Sequence, residues 1–431
     1  MVNLNDLREN PDRYKKATAD KQMDPLVVDK VLELDTKKRE LQTKIQELQA
    51  RRNAIAREKA RNEAGREIKE LLKTLEPELK LVEVELQTYL YKIPNLIHES
   101  VVIGKDESEN VAIRKWGTIR KFDFEPLDHV SLGEKIGGID IERAAKVSGT
   151  RFGYLTGDVA LMEFALVMHA FTALTDESVL KTIANKVKKG YSSKPFIPVV
   201  PPVFVKPEVF TKMARLSPET EIERYHMERD DVYLVGSAEH TLGPMFMDEV
   251  LEGKNLPVRY VGFSTAFRRE AGAYGKDTRG ILRVHQFDKV EMESFTSSEN
   301  GLMEQDFIVG VQEYLLQSLE IPYQVVLICT GDMGGPDFRQ IDMEAWLPGQ
   351  DKYREVMTSD YMTDYQSRRL NTKVRVSGKT EFAHMNDATA IAIGRTIIAI
   401  LENYQQQDGS VVIPKVLQKW MGKEKIEAVK K

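Results

Sequence analysis

With 431 residues, 42% of them apolar and 30% charged, the chain is long enough for two packed domains, one of them unusually charged. A net charge of −5 excludes a uniformly basic nucleic-acid-binding protein, so any RNA contact has to come from a local basic surface. The single cysteine, Cys329 in an apolar strand-like run, excludes an internal disulfide and a cysteine-rich zinc site; structural zinc is not expected, and a reducing, cytoplasmic setting is. The first residues lack the pattern of a signal peptide. No apolar run reads as long enough to span a bilayer, so no membrane partner is expected.

Residues 1–25 form a lead-in in which Asp6, Asn10, Pro11 and Asp12 are helix-start signals. From Val27 the composition changes. Val27, Leu34, Leu41, Leu48 and Ile55 recur every seven residues, with Val31 and Ile45 between them. After a break at residues 62–65, Ile68, Leu72, Leu75, Leu79, Val82, Leu86, Tyr89 and Ile93 step by four and three. This two-sided seam predicts an antiparallel helical hairpin over residues 27–93, each helix about 45 Å long. Pro77 is expected to kink the second helix. Residues 29–61 carry ten Lys/Arg against six Asp/Glu, which suits either a solvated exterior or a basic strut along an RNA backbone. Pro94 and the polar run 104–110 mark a boundary, dividing the chain into 1–110 and 111–431.

Beyond the boundary, strands and helices mix. Residues 159–174 read as an apolar helix, and 196–202 as a proline-bearing edge strand. Ser237, Ala238 and Glu239 follow a short strand. Residues 264–293 read as a strand ending at Glu270, a basic glycine-rich loop with Tyr274, Lys276, Asp277 and Arg279, and a return strand from Ile281. Alternation puts Arg268 and Glu270 on one face, and Arg283, Phe287 and Glu291 on one face of the return strand. If the two faces coincide, they offer arginines for phosphate, a ring for a base and carboxylates for amino or ammonium groups. A solvated hairpin with cross-strand ion pairs would show the same alternation. Further on, 342–360 carries Glu355 and Thr358, and 387–395 leads into a helix through Gly394 and Arg395. The Gly378-Lys379-Thr380 triplet has Lys373 where a phosphate-binding loop needs glycine.

Phe267-Arg268-Arg269-Glu270-Ala271-Gly272 with Arg283-Val284-His285-Gln286-Phe287-Asp288-Lys289-Val290-Glu291-Met292 resembles the second signature motif of class II aminoacyl-tRNA synthetases, in the form found in seryl-tRNA synthetases. The remaining segments are similar to that family too. The basic hairpin resembles its tRNA-gripping arm, 159–202 its first, dimer-forming motif, and 387–395 its third motif. The resemblance implies an α+β protein: a two-helix coiled-coil arm and a class II catalytic domain with a mixed, mainly antiparallel sheet flanked by helices. It implies a homodimer that activates L-serine with ATP and magnesium and transfers it to tRNA(Ser), with tRNA(Sec) a further candidate acceptor. The arm and the 271–282 loop are the implied tRNA contacts.

Carried over by motif, Arg268, Glu355 and Arg395 are the implied catalytic residues. ATP would be bound by these with Arg269, Glu270, Arg283, Val284, Phe287, Val356, Met357 and Thr358. Glu355 and Thr358 would hold magnesium. Serine would meet Ser237, Ala238, Glu239, Arg268, Glu291, Asp387 and Thr389. Two departures stand out: Asp387 replaces the family's usual asparagine, and Thr358 its usual serine. A synthetase-like enzyme that loads a carrier protein and an inactive RNA-binding paralogue are the alternatives; the long arm and single cysteine speak against the first, and the retained motif residues against the second.

Overall fold

The computed structural model describes residues 1–57, 63–271 and 279–429. The chain divides into two compact units, Met1–Ile97 and His98–Lys431.

In the first unit, α1 (Leu4–Glu9) and α2 (Pro11–Asp20) precede the long helices α3 (Leu26–Arg57) and α4 (Glu63–Leu90). Pro11 opens α2, where its missing N–H costs no helical bond. The helical hairpin is present, and its seam buries Val31, Leu34, Leu41 and Ile45 against Ile68, Leu72, Leu75, Val82 and Leu86. Lys37–Glu78 (2.9 Å) and Lys38–Glu83 (3.3 Å) bridge its flanks. The seam differs from the heptad reading at its ends, where Val28 and Leu90 are buried rather than Val27 and Tyr89. The lead-in helices supply the reason at the first end. α2 packs on the start of α3, and Arg8 forks onto Asp35 with two 2.7 Å bonds, so α3 is covered on a second face. Pro77 lies inside α4, which continues through it. Part of the expected break, at Asn62, lies outside the described residues.

Eight strands form the sheet of the second unit: β1 (Val111–Trp116), β2 (Ile197–Val199), β3 (Val258–Phe267), β4 (Gln286–Thr296), β5 (Tyr323–Leu327), β6 (Arg339–Leu347), β7 (Lys352–Thr363) and β8 (His384–Ala392). Their order is β1-β5-β6-β7-β8-β4-β3-β2, antiparallel except for the β2–β3 pair. Proline-bearing β2 is the edge strand, where a missing N–H is tolerated. The main helices are α5 (Gly157–Thr175), α6 (Glu177–Val187), α7 (Gly301–Ser318) and α8 (Ile393–Tyr404). Helix α6, which the sequence reading did not separate, stands between α5 and β2. At nineteen residues α5 is long and apolar enough to cross a membrane by length and composition, contrary to the expectation that no run would be. Its Val159, Met162, Leu166, Ala170 and Leu174 are instead buried in this unit, where α5 packs on α8 and the sheet.

Helix α7 lies on the sheet with Phe307, Ile308, Val311 and Leu315 fully or almost fully buried. Two polar features fasten it. Arg259 of β3 forks onto Glu304 at 2.6 and 2.8 Å, both side chains inaccessible, with its guanidinium 4.0 Å from the Phe307 ring centre. The fork also donates to the Ser192 and Lys194 carbonyls, so every face of this buried charge is compensated. The second feature is Gln312, whose amide donates to the Thr358 carbonyl (2.7 Å) and the Thr389 carbonyl (2.8 Å). Strands β7 and β8 pair only over Ser359–Thr363 and Met385–Ala388. Beyond that they part, and Gln312 takes the carbonyls where the ladder stops. The cleft between the parted strands is the candidate site.

Candidate active site

The β3–β4 hairpin forms one wall of the cleft. Its regular ladder stops at Phe267 and resumes at Gln286, short of the strand ends expected at Glu270 and Ile281. Arg268 still donates its N–H to the His285 carbonyl (2.9 Å), but Glu270 adopts φ +51°, a left-handed conformation that no strand continues. That turn brings Glu270 Oε2 to Arg283 Nη1 at 3.0 Å, while the Arg268 guanidinium lies 5.3 Å from the Phe287 ring centre. The two faces inferred from alternation do coincide. Tyr274, Lys276 and Asp277 of the expected loop lie outside the described residues.

Across the cleft, Glu355 of β7 meets Arg395 of α8 at 2.7 Å, and Arg395 also donates to the Glu355 carbonyl (3.0 Å). Enclosure in the cleft works against ionisation of Glu355, but Arg395, with Arg268 and Lys289 nearby, holds its carboxyl below the usual range. Thr358 donates to Asp360 at 3.2 Å, with Asp342 opposite it on β6. These groups surround a cavity of about 300 Å³, lined also by Arg268, Glu270, Arg283, Val284, Phe287 and Val356. Met357 alternates away and is buried, and Arg269 turns onto the Tyr225 ring at 5.8 Å; neither lines the cavity.

Deeper in, the cavity walls Arg215, Lys289 and Thr389 lead to a buried polar network. Thr389 donates to Glu291 at 3.2 Å, and Lys289 pairs with the same carboxylate. Arg215 lies 2.9 Å from Glu239 and donates to Asp387 at 3.0 Å. His240 accepts the Gly236 N–H on Nδ1 (3.0 Å), so its proton sits on Nε2, 3.2 Å from Glu239 Oε1. Burial pushes His240 down to about 3, keeping it neutral. Ser237 is buried at the turn into the Glu239–Leu242 helix, and Ala238 behind it is inaccessible.

Glu293, Asp387 and Asp360 stand directly opposite one another on β4, β8 and β7. Burial, then the neighbouring carboxylates, pushes all three carboxyls well above the usual range, because like charges side by side cannot all ionise. Neither Glu293 oxygen has a hydrogen-bond partner among the described residues. Behind Phe287 a second cavity, of about 320 Å³, holds Glu163 of α5 and Asp288. Burial and the facing Asp288 push Glu163 up to about 8.

The sequence reading named residues that the structure brings together: Arg268, Glu270, Arg283, Phe287, Glu355, Thr389 and Arg395 line the cavity, and Glu239, Glu291 and Asp387 belong to the polar network behind it. It missed Lys289, Glu293, Asp342, Asp360 and Arg215. Lys289, Glu293 and Asp360 each lie two residues from a named residue on the same strand, whereas Asp342 stands on β6, which carried none, opposite Thr358. Arg215 has no such signal, lying 172 residues from its partner Asp387.

A mainly antiparallel sheet, an arginine-bearing hairpin and an arginine-bearing helix around one nucleotide-sized cleft define a class II aminoacyl-tRNA synthetase core. Comparison agrees: the family model described as tRNA synthetase class II core domain (G, H, P, S and T) matches residues 222–404, and the Seryl-tRNA synthetase N-terminal domain model matches residues 1–97. The serine–tRNA ligase of Dictyoglomus turgidum is 39% identical over 98% of both chains. The crystal structure of seryl-tRNA synthetase from Pyrococcus horikoshii complexed with ATP superposes with a TM-score of 0.90 at 39% identity, covering 100% of both chains. The cytoplasmic enzyme from Naegleria fowleri in complex with AMP gives 0.84 at 33% identity, covering 98% of this chain and 96% of that one. The chain belongs to the seryl-tRNA synthetase family.

Proposed function

We propose that this chain is a serine–tRNA ligase, which activates L-serine with ATP and transfers it to tRNA(Ser), with tRNA(Sec) a further candidate acceptor. The observation that carries the reading is the adjacency of two subsites in one cleft: the Arg268–Phe287 and Glu270–Arg283 pairs beside the Glu291–Thr389 pair.

Adenine would stack on Phe287, with Glu270 accepting from its amino group and Arg283 and Val284 bordering it. The backbone around Val356 and Met357 would flank the nucleotide, and Arg269 would support the Arg268 strand end rather than touch ATP. Serine's ammonium would sit between Glu239 and Glu291, near Ser237 and Ala238, and its hydroxyl at Thr389. The serine carboxylate attacks the α-phosphorus in line, the bond to the β-phosphate oxygen breaks, and pyrophosphate leaves. Arg268 would offset charge growing on the α-phosphate, and Arg395 would hold the γ end. The terminal ribose hydroxyl of the tRNA then takes the seryl group and AMP departs. Glu355 and Thr358 offer the hard oxygen donors that magnesium takes alongside phosphate oxygens. When bound, the ion would supply further neutralisation of the phosphates.

Residues 1–110 are assigned to tRNA binding and 111–431 to catalysis and dimerisation, with the α3–α4 hairpin, basic along its first helix, and the 271–282 loop as tRNA contacts. Leu161, Phe164 and Met168 form an exposed apolar stripe on α5, 51%, 62% and 48% accessible, which suits a homodimer contact. The buried, unpaired Cys329 fits a cytoplasmic enzyme.

Pyrophosphate exchange without tRNA, run with serine, threonine, alanine and glycine, tests the proposal. Exchange with serine alone is expected, because a site that hydrogen-bonds the hydroxyl rejects analogues lacking it. Exchange only with another amino acid would overturn the serine assignment.

A further inference from the structure

Arg215, its side chain 16% accessible, is a cation at the amino-acid pocket that lies outside the family motifs. It follows the short helix Pro207–Lys212 and is delivered by Ala214, whose φ of +58° turns the chain inward. Its backbone is held at both ends: the N–H donates to Phe210 (3.2 Å), and the carbonyl accepts from Arg224 (3.1 Å). From there the guanidinium reaches three segments at once. Nε lies 2.9 Å from Glu239, and Nη2 lies 3.0 Å from Asp387 on β8 and 3.8 Å from Asp360 on β7.

Glu239 is held by two neighbours: Arg215 Nε lies 2.9 Å and His240 Nε2 3.2 Å from its Oε1. A carboxylate fixed in place before ligand arrives is the form an ammonium group needs. We propose that Arg215 is the positioning residue of the amino-acid pocket: bridging Asp387 and Glu239, it fixes the Glu239 carboxylate as the acceptor of the substrate ammonium. The inference rests on the serine-ligase reading and assigns a role to Asp387 within it. Asp387 anchors the arginine and does not itself grip substrate. The planar fork matters, since a lysine ammonium cannot address two carboxylates from fixed directions.

The surroundings make the dependence on Arg215 readable by pH. Burial opposes ionisation of Glu239, and Arg215, aided by His240 and Lys289, holds its carboxyl well below the usual range. Facing it are carboxyls on β4 (Glu291, Glu293), β8 (Asp387) and β7 (Asp360), with Asp337 beyond them. The cations Arg224 and Lys289 stand on the other side. Without Arg215, burial works against the Glu239 charge with only His240 and Lys289 left to oppose it, so its carboxyl moves up.

The experiment is serine-dependent pyrophosphate exchange by full-length wild type, Arg215→Met and Arg215→Lys from pH 6.5 to 8.5, with the KM for serine and for ATP measured separately. For Arg215→Met, the serine KM should be raised about tenfold more at pH 6.5 than at pH 8.5, as Glu239 regains its charge, with the ATP KM unchanged. Wild type should show no such slope. Arg215→Lys should keep the flat profile and raise the serine KM by roughly threefold to tenfold, one carboxylate contact being retained. A methionine variant with wild-type serine KM and profile, or with serine and ATP KM rising together at every pH, overturns the proposal. If that variant does not fold, an unchanged serine KM in the lysine variant does so alone. Silence of the wild type with serine would remove the ligase reading and this one with it, whereas active wild type with indifferent variants removes only this one.

Discussion

Glu355 and Arg395 are joined at 2.7 Å across the mouth of the cleft, so the proposed metal ligand and the proposed γ-phosphate clamp occupy one another in the free protein. Ligand binding has to part them, and each then finds a stronger partner of opposite charge. Glu355→Gln should therefore lower serine-dependent pyrophosphate exchange by about 100-fold and shift its magnesium optimum to higher concentration. An unchanged magnesium titration would show that the metal is held elsewhere.

The division of labour between the two units gives a second expectation. Deleting residues 26–90 should leave pyrophosphate exchange within about threefold of wild type and cut tRNA charging by about 100-fold or more, because the basic first helix of the arm would supply phosphate contacts and no catalytic group. Arg268→Ala should instead abolish both. Equal loss of exchange in the two variants would refute this separation.

The apolar stripe on α5 predicts association. Phe164→Glu combined with Met168→Glu places two charges on the exposed face without disturbing the buried Met162, Leu166 and Ala170. Sedimentation should show a dimer for the parent and a monomer for the variant. A dimeric variant with an unchanged dissociation constant would send the contact to another surface.

The Arg259–Glu304 fork is fully buried, so removing one partner strands the other charge. Arg259→Met should lower the stability of the second unit by about 3–5 kcal/mol in urea unfolding, whereas replacing both partners with apolar residues should cost less. The single and double variants melting alike would argue against a stranded charge.

Glu163 carries a pH signature. Its folded-state carboxyl is pushed up to about 8 by burial and by Asp288, far above the ordinary value of 4.5. The folded protein thus holds a proton that the unfolded chain has lost. Stability falls as pH rises from about 4.5 toward 8 and levels off above. Glu163→Gln keeps the neutral form at every pH, so its melting temperature should fall by several degrees less than the parent's across that window, the remaining drop belonging to Glu293, Asp360 and Asp387. Parallel melting curves across that window would dismiss the pair as a proton holder.

How much of this was legible beforehand depended on distance along the chain. The nucleotide face could be read because strand alternation is strictly periodic, and Phe287 and Glu291 kept their places even though the ladder proved shorter than expected. The arm's seam was legible at Leu34, Leu41 and Ile45 but misplaced at Val27, because two short helices cover α3 where a two-helix reading sees only solvent. Asp387 looked like a change of substrate contact. Its partner Arg215 lies in a turn set by a left-handed alanine, which no local pattern announces. The row Glu293–Asp387–Asp360 was equally hidden, since it exists only across three strands.

Gln312 has a consequence for how such a site changes over time. The side-chain amide ends the β7–β8 ladder at Ser359 and Ala388, and everything past that point is open to ligand. Pocket depth is thus encoded on the concealed side of the sheet, in a helix that touches no substrate. Moving that amide by one turn would relocate the stopping point and reshape the chamber while every lining residue stayed the same. Substrate range in this architecture can drift through positions that a catalogue of ligand contacts would never include.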